Sequence, residues 1–97
     1  MPLDRADILA ALQAKGFDLE QKNRDHDFLF FRHRGLTTAV YTKLSRGSRY
    51  KTIDDSLVSR MSKQVRLTKR EFENLVSCSL TAEGFISALS KQGILRV

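Results

Sequence analysis

The chain has 97 residues, 41% of them hydrophobic, with one proline and five glycines, a composition that suits one globular domain and argues against disorder. Cys78 is the sole cysteine, which excludes an internal disulfide, and no apolar run approaches membrane-spanning length, so a cytoplasmic protein without a membrane partner is expected. The net charge of +6 is unevenly placed: residues 43–70 hold nine Lys and Arg against Asp54 and Asp55, a net of +7, while the segments on either side are near neutral.

In chain order, Leu3 to Phe17 reads as a helix. Asp4 is placed to cap it, Leu3 and Ile8 are spaced as a hydrophobic staple, and Ile8, Leu9, Ala11 and Leu12 form an apolar stripe. Gly16 suits the left-handed position after the helix, with Phe17 folding back. Asp18 to Lys22 is a short strand candidate. The next strand is announced by Arg24-Asp25-His26-Asp27-Phe28-Leu29-Phe30-Phe31-Arg32, which holds three of the six phenylalanines. Four consecutive large apolar residues predict a central strand covered on both faces, with His26 at its polar mouth. In a regular strand His26, Phe28 and Phe30 share one face, and Asp25, Asp27, Leu29 and Phe31 share the other.

His33-Arg34-Gly35 predicts a turn with His33 exposed, and Leu36 to Leu44 a third strand, with Leu36, Thr38, Val40, Thr42 and Leu44 on one face. Short connections make the sheet antiparallel. Ser45 to Lys51 is a loop with three cations, two serines, Gly47 and Tyr50. Three helices follow. Thr52 or Asp54 opens the first, with Ile53, Leu57, Met61 and Val65 in register. Thr68 and Glu71 form a capping box with Leu67 and Phe72 as staple, and Thr81 caps the last helix, which Gly93 and Ile94 end. The predicted class is α+β: an αβββ core with a three-stranded antiparallel sheet, plus C-terminal helices.

The concentrated charge points to a polyanion as partner. Arginine forks, serine hydroxyls and glycine-freed amides are phosphate ligands. Arg24, Lys43, Ser45, Arg46, Ser48, Arg49 and Lys51 are therefore the candidate nucleic-acid contacts, and Tyr50 could stack on a base. Two histidines and one cysteine, widely spaced, do not make a zinc site, and no phosphate-loop or metalloprotease motif is present. No cofactor is expected. His26 is the candidate for proton transfer at neutral pH. An imidazole can take the proton of a ribose 2′-hydroxyl, which attacks the adjacent phosphate while cations hold the developing charge. Cys78 reads as a core residue.

The order of a helix ending Gly16-Phe17, a strand, His26 before an aromatic strand, a glycine turn, a third strand with Thr38-Ala39-Val40-Tyr41, and a last helix ending Leu89 to Ile94 resembles the HicA (YcfA-like) toxins. The resemblance implies a fold similar to a double-stranded-RNA-binding domain, a metal-independent mRNA endonuclease activity, a HicB-like antitoxin as partner, and the catalytic histidine role for His26. Arg24-Asp25-His26-Asp27 stands where the family commonly has Gly-Ser-His-His. Residues 52–80 exceed the family's minimal pattern and read as a helical insertion or extension. Two rival readings remain open: a non-catalytic nucleic-acid-binding module, in which the helices near 54–66 and 69–77 could form a helix-turn-helix, and a protein-interaction component or self-associating chain.

Overall fold

Four helices share one apolar core with a three-stranded antiparallel sheet. The computed structural model describes residues 3–21, 25–45, 51–77 and 79–95. The elements are β1 (Leu3–Asp4), α1 (Arg5–Ala14), β2 (Phe17–Glu20), β3 (His26–His33), β4 (Leu36–Ser45), β5 (Thr52–Ile53), α2 (Asp55–Gln64), α3 (Lys69–Val76) and α4 (Ala82–Lys91). The α+β class and the antiparallel sheet are as the sequence predicts. The sheet order β2-β3-β4 puts the aromatic strand in the middle.

The predicted burial of that strand on both faces is corrected. Asp27, Leu29 and Phe31 are buried beneath the helices, whereas His26, Phe28 and Phe30 on the opposite face are half-buried. The run of four apolar residues conceals a strict two-residue alternation, because its outward positions hold aromatic rings where an antiparallel sheet usually holds polar side chains. On the inner face the rings of Phe17, Phe31 and Phe85 meet at centroid separations of 4.9 to 5.5 Å. Ile8, Leu12, Val40, Val58, Val65, Phe72, Leu75 and Leu89 complete a continuous core around them. Residues 52–80 contribute Ile53, Val58, Met61, Val65, Leu67, Phe72, Leu75 and Val76 to the same core, so α2 and α3 are integral to it.

Local chemistry explains most boundaries. Gly16 and Gly93 take φ of 106° and 76° at the helix ends, where a Cβ would be strained. Arg34 and Gly35 both have positive φ, as a two-residue type I′ hairpin turn requires. His33 is half-buried and stacks on Phe31 at 6.4 Å, correcting its predicted exposure. Leu36, expected on the inner face, is 73% exposed beside the turn. The register between β3 and β4 shifts between Phe30 and Arg32. There the Thr38 hydroxyl donates to the Phe31 carbonyl (2.8 Å) and accepts from the Val40 amide (3.1 Å), partnering groups next to the irregularity in the ladder. Thr68 and Glu71 form the predicted capping box, and Thr81 accepts from the Gly84 amide.

Two further expectations change, at Asp4 and Leu57, and the cap of α2 is decided between its two candidates. Asp4 stands at the N-cap of α1, but its side chain makes no capping bond. Its backbone belongs to a short ladder in which Leu3 pairs with Ile53 and Asp4 with Thr52. Of the two residues expected to open α2, Thr52 is thus a strand residue and Asp54 is the cap, as that alternative predicts, accepting from the Leu57 amide at 3.0 Å. Val58 takes the fully buried position on α2, with Leu57 only half-buried.

The Leu57 amide, with the Ser56 hydroxyl also donating, holds the Asp54 carboxyl below its ordinary value of 3.8. A carboxylate whose folded pKa is depressed contributes stability fully above the unfolded value and loses it as pH falls through the folded value. Asp54→Asn retains a capping oxygen but carries no charge. Its urea midpoint is expected to lie below that of the wild type at neutral pH and to converge with it under acid, below the ordinary carboxylate range. A gap that persists unchanged in acid would show that the charge is not its source.

Candidate functional site

His26 is the first residue of β3 and faces away from the core, opposite Ser45 on β4. Two residues on, Phe28 is paired with Lys43, so the outward row of β4 places Lys43 and Ser45 along the outward row of β3. α2 packs against β4 and is pinned there by a 2.6 Å hydrogen bond between the buried Thr42 hydroxyl and the Gln64 side chain. The helix thereby raises a wall beside the strand. His26, Lys43, Ser45, Arg60 and Gln64 line the resulting cleft of about 180 Å³, with Leu44, Ile53, Leu57 and Met61 as its apolar lining.

The cleft continues through Arg60 and Gln64 into a shallower groove bounded by Ala39, Tyr41, Lys63 and Arg66. Four cations of the basic segment therefore gather on one side of the sheet: Lys43, Arg60, Lys63 and Arg66. Lys69 instead pairs with Asp55 at 3.1 Å. Lys15, outside that segment, donates to the Leu75 and Leu80 carbonyls, neutralising free acceptors near the end of α3.

The two aspartates flanking His26 do not share its environment. Asp25 is exposed in the bend before the strand. Asp27 lies on the inner face, its side chain 5% exposed, and forms an ion pair with Arg5. The Arg5 Nε also donates to the Ser45 carbonyl at 3.2 Å, and the Arg5 amide donates to the Lys51 carbonyl at 2.7 Å. Arg5 thus ties the start of β3 to the end of β4, directly beneath the His26–Ser45 pair.

Of the residues predicted as nucleic-acid contacts, Lys43 and Ser45 line the cleft with His26, and Lys51 is exposed before β5. Arg24, Arg46, Ser48 and Arg49 lie outside the described residues, as do Tyr50 and Cys78. Arg60, Lys63, Gln64 and Arg66 are additions of the fold. Residues 60, 63 and 64 follow the three-and-four spacing of one helix face, a signal present in the sequence, but nothing local says that this face meets β4. Among the described residues, no group of three or more His, Cys, Asp or Glu side chains is arranged to hold a metal ion.

Arg66 follows α2 with φ of 66°, a left-handed conformation that glycine adopts without strain and arginine does not. Its carbonyl accepts from the Gln92 side chain at 2.7 Å, which holds the turn in place. Arg66→Gly is expected to raise the unfolding free energy by about 0.5–1 kcal/mol while removing a cation from the groove. A urea titration checks the gain; a destabilised glycine variant would mean that the arginine side chain contributes packing that outweighs the strain.

Among the described residues no helix is long and apolar enough to cross a membrane. Neither a family model, nor a curated protein, nor a solved structure matches the chain, so the chemistry of the cleft rests on its own residues.

Proposed function

We propose that the chain is an endoribonuclease that cleaves single RNA strands at the His26 cleft, using one imidazole and flanking cations. The observation that carries this reading is the placement of His26 with Lys43, Ser45 and Arg60 around one concavity. His26 takes the proton of a ribose 2′-hydroxyl; the freed oxygen attacks the adjacent phosphorus; the bond to the 5′-oxygen breaks, and water protonates the leaving oxygen. The products are a 2′,3′-cyclic phosphate and a 5′-hydroxyl. Lys43 and Arg60 stabilise the charge that gathers on the phosphate oxygens. No step calls for a metal or organic cofactor.

The resemblance to HicA toxins extends this reading to a type II toxin–antitoxin system, with mRNA as substrate, the cytoplasm as location and a HicB-like antitoxin as partner. It is supported by His26 at the mouth of the central strand and by the αβββ order within the fold. The ion pair that holds Asp27 on the inner face keeps that carboxylate off the His26 side of the sheet.

The test is cleavage of an unstructured RNA by purified wild type and His26→Ala in the presence of a chelator. Chelator-resistant cleavage that is lost in His26→Ala supports the reading. Equal cleavage by both proteins, or activity that the chelator abolishes, overturns it. A second reading, an RNA-binding module without catalysis, is favoured by one feature: among the described residues lining the cleft, His26 is the only imidazole, so no second histidine is present to protonate the leaving group. Tight binding without cleavage by the wild type would select it.

A further inference from the structure

The outward face of β3 carries more than His26. The rings of His26 and Phe28 are 6.3 Å apart, those of Phe28 and Phe30 6.2 Å, and those of Phe30 and Tyr41 5.3 Å. The last two pairs are nearly parallel, at 20° and 23°. Tyr41 is 42% exposed, and Phe28 and Phe30 are half-buried. Single exposed apolar residues are ordinary on a protein surface, but a contiguous row of rings that ends at the candidate catalytic group is not.

Charge is asymmetric across this row. On the α2 side stand Lys43, Arg60, Lys63 and Arg66. On the β2 side, among the described residues, Asp18 is paired with Arg32 at 2.9 Å and Glu20 is the other charged residue. A ligand laid along the row would therefore place its anionic edge toward α2 and its flat apolar groups over the rings. A nucleic-acid duplex cannot do this, because its bases are already stacked on one another and its phosphates face outward on both sides. A single strand can, since its bases splay freely from one backbone and any base has a face to stack.

We infer that the outward sheet face is a base-stacking platform for single-stranded RNA. The platform rests on the RNA-directed reading of the cleft but not on its chemistry. Bases sit over Phe28, Phe30 and Tyr41 while the phosphates follow Lys43, Arg60, Lys63 and Arg66. The row then serves as a ruler: the strand that stacks along it presents a backbone linkage to His26 at its end.

The test measures binding of fluorescent 2′-O-methyl RNA, which lacks the attacking hydroxyl and cannot be cleaved by this route. The probes are an unstructured single strand of about 12 nucleotides and a duplex of the same length. Wild type is expected to prefer the single strand. Phe28→Leu and Tyr41→Leu keep apolar bulk but remove the ring, and each is expected to weaken single-strand binding by about 5- to 100-fold, with little change in duplex binding. Tyr41→Phe retains the ring and is expected to bind as wild type does. Lys63→Ala is expected to flatten the dependence of log affinity on log salt by about 0.7, the increment for one phosphate contact on a single strand.

A thermal melt of each variant identifies any protein that has lost its fold, since the Phe30–Tyr41 pair also contributes to the sheet. Folded leucine variants that bind the single strand as wild type does would overturn the platform. So would a wild type that prefers the duplex, or one that binds neither probe; the last result would make the ring row a surface for a protein. If the leucine variants lose single-strand affinity while His26→Ala cleaves as well as wild type, the platform stands and the proposed catalytic role falls.

Discussion

Replacing Arg5 with methionine is expected to lower the unfolding free energy by about 3 kcal/mol, read as a shift in the urea midpoint. Asp27 is the reason. Its side chain is 5% exposed and pairs with Arg5, itself 21% exposed, beneath the start of the central strand. Removing the guanidinium takes the Arg5 counter-charge from a buried carboxylate, and leaves the Ser45 carbonyl without the Arg5 hydrogen bond. The double variant Arg5→Met with Asp27→Leu removes both charges together. It is expected to recover most of the loss, because the cost lies in a buried charge that has lost its counter-ion more than in the absence of the pair. A loss below about 1 kcal/mol in the single variant would mean that water reaches Asp27 and the pair behaves as a surface one. Arg5 also joins the strand ends on which His26 and Ser45 sit, so cleavage by Arg5→Met should fall at temperatures where the variant is still folded.

The second large effect is expected in the rate of RNA cleavage. A positioned general base supplies about 10²–10⁴-fold, and His26→Ala should lose an amount in that range under single-turnover conditions. The uncleavable 2′-O-methyl strand should bind this variant within about threefold of wild type, because the proposed phosphate contacts are assigned to Lys43, Arg60, Lys63 and Arg66, which line the cleft and groove. Lys43→Ala provides the contrast. In the proposed mechanism it removes a cation from both the bound strand and the transition state, so binding and rate should fall together. An alanine at position 26 that lowers affinity and leaves the rate at saturation unchanged would make the imidazole a binding group.

Much of the scaffold can be read along the chain because its determinants are local. Gly16 and Gly93 mark helix ends through a backbone conformation that needs no distant partner. Thr68 with Glu71 specifies the start of α3 within four residues, and Thr81 does the same for α4. The errors have a common origin in contacts far apart in sequence. Asp4 has the residue type of a cap, yet its backbone is drawn into pairing with Thr52, which leaves Asp54, the other candidate, to open α2. Phe28 to Phe31 reads as doubly buried because hydrophobicity alone does not distinguish a ring facing a core from a ring facing an open sheet surface.

The sequence by itself determined the caps at Thr68 and Thr81, the antiparallel order of three strands, the inward and outward rows of β3, and the place of His26 at the start of that strand. These follow from residue type and a two- or three-residue period. Only the tertiary structure decided what surrounds that histidine. The packing of α2 beside β4, fixed through Thr42 and Gln64, brought Arg60 to the cleft, and Arg5 held Asp27 on the other side of the sheet. It also left Phe28, Phe30 and Tyr41 as a row on the face turned away from the core. Charge and aromatic content are properties of composition, but the side of the sheet on which they meet depends on how helices 20 to 60 residues away pack against it.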